Sequence, residues 1–295
     1  MKPAPFIYHR PDSVTEAVRL MGTMENAKVL AGGQSLVAMM NFRYAMPDHL
    51  VDIARLSELQ GITVDDTQVR IGAMTRQREL EFSPVLAKAA PLFEAGLRHV
   101  GHRQTRNRGT IGGSLAHADP AAELPAVCLA YDAEIEIAGQ AGSRLVPMQE
   151  FAAGFMSTAV GYDELLVGVQ FKRWPQGHGY SFQEYARRHG DFAVVGVAAL
   201  VSVGPDRLIH RASIVLCGVG ERPLRRGEAE ATLSGQPFEE KMVQRAAQIA
   251  AAGIEPFEDI HGTSAYRLHL ARVLTERALR EARTRIEVLN GSKHD

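Results

Sequence analysis

Two segments of the 295-residue chain pair adjacent glycines with hydroxyl residues: Ala31-Gly32-Gly33-Gln34-Ser35 and Thr110-Ile111-Gly112-Gly113-Ser114. Without a Cβ, such glycines let the backbone turn sharply and bring its N–H groups against an anionic ligand. One such segment is commonplace. Two, each behind an apolar run, predict a pair of turns that grip one diphosphate from both sides, as a dinucleotide requires. On that reading Val at Gly33 or Gly112 fills the space of the diphosphate and abolishes binding while sparing much of the fold.

Other chemistries find no support. Gly218-Val219-Gly220 carries Pro223 where a Rossmann fingerprint needs its third glycine, and no Walker A lysine motif, G-x-S-x-G elbow or H-E-x-x-H helix occurs. His117, Asp119 and Glu123 match no standard metal-ligand spacing. The structural use predicted for Asp119 is to begin a turn or cap the helix after Pro120. Arg103, Arg106 and Arg108 precede the second glycine pair; they read either as a solvated face or as positive potential near a phosphate or a docking surface.

The elements around these segments alternate. Ser13 and Glu16 form a capping-box pattern, with Val14, Ala17, Val18 and Met21 on one helical face. Lys28–Leu30 reads as a strand running into the first glycine turn, Leu50–Ile53 as a second, and Gly61–Met74 as a hairpin turning at Asp65-Asp66. A helix is expected from Pro91 to about Gly101, then strands over Tyr131–Ala138 and Leu165–Phe171. Pro175, Gly177 and Gly179 mark a boundary. Beyond it, Phe192–Val203 and Leu208–Gly218 read as long strands, followed by helices from Phe238 to Ala252 and from Ser264 to about Leu289. The pattern suggests α+β or α/β, with predicted units at 1–55, 56–176 and 177–290.

Lys and Arg number 33 against 34 Asp and Glu, for a net charge of −1, which gives no electrostatic reason to expect nucleic acid or an anionic membrane as the main partner. No 18-residue apolar stretch and no signal-peptide pattern occur, so no membrane insertion and a cytoplasmic location are expected. Cys128 and Cys217 are the two cysteines, too few for a ligated iron–sulfur cluster. Electron chemistry here needs an organic cofactor or another subunit.

Four motifs in order carry a resemblance over nearly the whole chain, from Phe6 to about Leu279: AGGQSLVAMMNFRYAMPDHLVDI, IGAMT at 71–75, RNRGTIGGSLAHADPAAELPA, and YARRHGDFA at 185–193. Together they resemble the FAD-binding medium subunit of the molybdenum hydroxylases, the family of xanthine dehydrogenase, carbon monoxide dehydrogenase and the quinoline-type dehydrogenases. The resemblance implies an α+β chain with a vanillyl-alcohol-oxidase-type fold: two α/β subdomains, then a C-terminal domain with a three-stranded antiparallel sheet and a helical bundle. It places the FAD diphosphate between Ala31–Ser35 and Thr110–Ser114, with backbone amides and the Ser35, Thr110 and Ser114 hydroxyls as donors.

Glu123, where relatives often have Asp, is implied at the adenosine end. The backbones of Val100 and Leu166 are implied near the cofactor, although their side chains alone say only core. Phe192 reads either as an aromatic at the isoalloxazine or as a strand-core residue. Gln34 replaces a histidine of some relatives. The implied function is electron transfer through FAD, with no catalytic triad in this chain. A small subunit with two [2Fe–2S] clusters supplies the electrons, a large molybdopterin subunit oxidises substrate, and an external acceptor is reduced within a dimer of heterotrimers. Arg103–Arg108 and Arg187–His189 are implied contacts to partners or phosphates, and an aromatic N-heterocycle is the favoured substrate. The competing readings are a flavin-free scaffold subunit and a stand-alone flavin oxidase.

Overall fold

A computed structural model of the chain describes residues 1–291. The N-terminal unit contains β1 (Ile7–His9), α1 (Val14–Thr23), β2 (Ala27–Leu30), α2 (Leu36–Asn41) and β3 (His49–Asp52). Its sheet is parallel, in the order β1-β3-β2. The Ser13 hydroxyl caps α1 by accepting from the Glu16 amide at 3.1 Å, and Ala17, Val18 and Met21 face inward. These residues pack with Val51, Ile53, Met74, Ala138 and Leu165, so the small unit shares its core with the next one.

The second unit opens with the hairpin β4 (Ile62–Val64) and β5 (Gln68–Gly72), in whose turn the Asp65 carboxylate accepts from the Thr67 and Gln68 amides. Six short helices follow: α3 (Gln77–Glu81), α4 (Pro84–Ala89), α5 (Leu92–Leu97), α6 (Arg103–Arg108), α7 (Ile111–His117) and α8 (Glu123–Ala130). The helix expected to reach Gly101 stops at Leu97; Gly101 takes φ +46° before α6 begins. Next come β6 (Glu134–Gly139), β7 (Gly142–Pro147), α9 (Met148–Phe151), the small pair β8 (Ala152–Gly154) and β9 (Ser157–Thr158), and β10 (Leu165–Lys172). The sheet order is β4-β5-β10-β6-β7, antiparallel throughout. All eight residues of α8 are buried, because the helix lies between this sheet and the next.

The C-terminal unit holds β11 (Gly179–Tyr185), β12 (Val195–Val203), β13 (Ile209–Cys217) and β14 (Leu224–Arg225), then α10 (Gly227–Leu233), α11 (Glu240–Ala251) and α12 (Ser264–Gly291). Its sheet has four strands where three were expected, the fourth being the two-residue β14 against Val215 and Leu216. Strand β12 begins at Val195; Phe192 lies in the preceding loop, where Gly190 takes φ +86°. Period-two alternation sends Phe182, Ala198, Leu200, Val215 and Cys217 into the core of the second unit. Val197, Ala199, Val201, Ile214 and Leu216 pack instead under α10–α12. A strand buried on both faces reads as one continuous apolar run, as Val194–Val201 does.

Candidate functional site

The structure brings the two glycine segments together. The first lies between β2 and α2, and the second forms the first turn of α7 at the edge of the second unit. A Cβ on Gly113 would stand 3.5 Å from the Ala31 Cβ, and one on Gly32 would collide with the Arg108 carbonyl and the Gly109 Cα. The Arg108 carbonyl is itself held by the Arg76 guanidinium. Gly32 therefore has to be glycine because the first loop lies directly on the backbone leading into the second. Gly33 takes φ +74°, a conformation that penalises any side chain.

The two segments use their amides differently. Among the described residues, the amides of Gly32, Gly33, Gln34, Ser35 and Leu36 have no partner within the chain; hydrogen bonding resumes with Val37 N to Gly33 O. Ser35 makes no side-chain cap on α2. Five successive open donors at a glycine turn form an anion cradle. In the second segment Ile111 N donates to Thr75 O, Gly112 N to Ala73 O at 2.8 Å, Gly113 N to the Thr110 hydroxyl and Ser114 N to Thr110 O. What the sequence presents as a second turn is a capped helical turn whose Ile111–Ser114 amides are committed. The missing Cβ of Gly112 faces Ala73, 2.6 Å from its Cβ, and not open space. The expected reason for its intolerance of Val changes accordingly: the clash is with β5's own exit, so the fold suffers first.

Glu123 is the first residue of α8, 8% exposed, with its carboxyl pushed up to about 7 mainly by burial. Asp119 starts the turn before it, accepting from Ala121 N at 2.8 Å. Leu166 is buried in β10, opposite Ile137. Val100 is half-buried, and its carbonyl accepts from Arg106. Phe192 is 68% exposed, which removes the strand-core reading. Of the basic run, Arg106 is tied to Glu81 and to the Val100 and Gly101 carbonyls, and so is structural.

One buried acid lay outside the residues singled out from sequence. Glu184, at the end of β11, has a side chain only 3% exposed, with Oε1 4.0 Å from His99 Nδ1 and Oε2 without a partner. Burial, reinforced by the Glu123 charge, pushes its carboxyl up to about 9. The signal was present in the period-two pattern: Glu184 follows Phe182 on the inward face, where an acid is out of place.

The mixed α/β architecture has counterparts among known proteins. Residues 4–174 match the FAD binding domain in molybdopterin dehydrogenase, and residues 180–282 match the CO dehydrogenase flavoprotein C-terminal domain. The chain belongs to the FAD-binding medium subunits of the molybdenum hydroxylases, oxidoreductases of the xanthine dehydrogenase family. It is 40% identical over 283 residues to the 6-hydroxypseudooxynicotine dehydrogenase complex subunit alpha of Paenarthrobacter nicotinovorans, covering 96% of each chain. It superposes on carbon monoxide dehydrogenase of Hydrogenophaga pseudoflava with a TM-score of 0.93 at 38% identity, covering 97% of this chain and 99% of that one. For quinoline 2-oxidoreductase of Pseudomonas putida 86 the TM-score is 0.92 at 36% identity, covering 97% and 100%.

FAD is the cofactor of this family, and the chain has features that fit it. The unpartnered amides of Gly32–Leu36 offer donors to a phosphate, and Gly33 holds the turn at φ +74°, where a side chain is strained.

Proposed function

We propose that this chain is the electron-transfer subunit of a molybdenum-containing hydroxylase complex. It would receive electrons from two [2Fe–2S] clusters of a small subunit and deliver them to an external acceptor, while a large molybdopterin subunit oxidises substrate. The observation that carries this reading is the run of five open amides at Gly32–Leu36, set against the capped turn Thr110–Ser114. Bound FAD supplies an isoalloxazine ring able to exchange electrons singly or in pairs, so the protein needs no acid or base for substrate chemistry.

The chain's own residues do the holding. The Gly32–Leu36 amides and the Ser35 hydroxyl bind the diphosphate. Thr110 fixes the facing helix turn through Gly113 N, and Ser114 adds a hydroxyl beside it. Glu123 holds the adenosine end, the Val100 and Leu166 backbones flank the ring, and the exposed Phe192 covers it. Relatives named for caffeine, nicotine and quinoline favour an aromatic N-heterocycle as the substrate of the complex. We place the complex in the cytoplasm as a dimer of heterotrimers. The two buried free thiols are compatible with a reducing compartment, and no described helix is long and apolar enough to cross a membrane.

The test is an absorbance spectrum of the chain purified with its co-expressed partner subunits. An oxidised-flavin band at one FAD per chain is expected, and it should bleach when substrate is added without air. A preparation that never shows flavin overturns the reading in favour of a scaffold subunit. Flavin that bleaches with substrate in the chain alone favours a stand-alone oxidase.

A further inference from the structure

Between the second and C-terminal units lies a cavity of about 280 Å³, lined by Arg98, His99, Glu184, Ala186, Arg188, His189 and Gly190. One water needs about 10–15 Å³ of such space, so the cavity has room for a ring-sized group. Its walls come from the loop after α5 and from the loop joining β11 to β12. Gly190 packs so closely on His102 that a Cβ there would strike the ring. Two residues of the proposed flavin site adjoin it in the chain, Val100 beside His99 and Phe192 two positions past Gly190.

Strand register explains why an acid sits at the floor. Glu184 lies opposite Gly196 in β12, and Gly196 lies opposite Cys217 in β13, so the three form one row across the sheet. The row's middle member has no side chain, and no residue of the row offers the carboxyl a hydrogen bond. His99 is the nearest group, at 4.0 Å. Its ring is held in the neutral form by burial and by the charges of His189 and Arg98. The other charged or titratable groups around this floor are Glu123 from α8, Cys217 from β13, Arg188 from the β11–β12 loop and Glu281 from α12, the last acting on His99.

An inward carboxyl oxygen without a partner, at the floor of a cavity this size, needs a ligand to complete it. We propose that Glu184 contacts the cofactor: Oε2 engages an acceptor atom at the edge of a heteroaromatic ring, a carbonyl oxygen or ring nitrogen, lying in the seam between the two units. The inference rests on the flavin reading above, which supplies such a ring. Burial and the neighbouring Glu123 keep the carboxyl protonated at neutral pH, so it donates a hydrogen bond that a carboxylate cannot.

The experiment compares the co-expressed complex carrying wild type, Glu184→Gln and Glu184→Leu. It measures FAD dissociation, the position of the flavin band and their dependence on pH from 6 to 10. Glu184→Leu should weaken FAD binding about tenfold, the equivalent of one hydrogen bond, and shift the band. Glu184→Gln, whose amide donates at any pH, should stay within about twofold of wild type at pH 7. It should also lack the loss of affinity that wild type shows above pH 9. Wild-type affinity and band in Glu184→Leu overturn the inference. So does an alkaline loss of affinity in Glu184→Gln equal to wild type, a result that stands even where the leucine variant does not fold. A wild-type complex holding no flavin overturns the parent reading instead.

Discussion

The two glycine pairs have nearly the same composition and opposite uses. Gly32-Gly33 ends a strand and leaves five amides open, with one glycine in a left-handed conformation. Gly112-Gly113 lies within the first turn of a helix, and the Ile111–Ser114 amides are bonded inside the protein. The first pair leaves its donors free; the second is a joint that presses α7 onto the end of β5. A glycine doublet thus announces a close backbone approach without saying whether the approaching group is a ligand or another strand.

Gly112→Val should break the comparison most severely. Its side chain would enter the Ala73 backbone, and we expect a loss of about 3 kcal/mol in denaturant unfolding of the apo-protein. Unchanged stability would mean that α7 docks elsewhere. Gly33→Val should behave the other way. A β-branched residue at φ +74° costs about 1–2 kcal/mol, yet FAD retention should disappear because the open amides are re-aimed. Stoichiometric FAD in that variant would remove the first segment from the cradle.

Thr110→Val deletes the cap on Gly113 N and should cost about 1 kcal/mol, which Thr110→Ser restores. If the serine variant is no better than the valine, the joint does not depend on the cap.

A pH slope tests the buried acids that face this joint's neighbouring core. Glu123 sits at about 7 in the folded chain against an ordinary 4.5, so between those values the folded state keeps a proton that the unfolded state releases. Its contribution is full below the lower value and declines as pH rises to 7; Glu184 extends the decline toward 9. Unfolding midpoints taken at pH 5, 7 and 9 should fall in wild type and flatten in the Glu123→Gln, Glu184→Gln double variant. A profile equally steep in both would place the acids in water.

Local chemistry made much of this legible. Ser13 with Glu16, the Asp65 turn and the apolar runs of β12 and β13 announced themselves through capping, turn preference and period two. The position of each glycine pair was readable, since both adjoin apolar runs. Their amide partners were not, because Gly112 N meets Ala73 O across 39 residues of chain, and no local pattern encodes that meeting. Glu184 is only half legible: it shares the alternate-residue face of Tyr180 and Phe182, but an acid within QEYARRHG resembles any solvated charge until the sheet packs that face inward. Phe192 went astray because Gly190 breaks the strand that hydrophobicity alone would have continued.

The C-terminal sheet, with one face in each core, bears on how the molecule can be divided. Family boundaries fall near residue 175, but one hydrophobic core runs across that point. Phe182, Ala198, Leu200, Val215 and Cys217 complete the interior of the unit that precedes them. A fragment ending at residue 174 would expose α8 and the apolar residues it buries, and should aggregate when expressed alone. In recombination between related subunits, crossovers placed at that boundary should fail unless the α8 and β11–β13 contact faces travel together, so the unit of inheritance is larger than either domain.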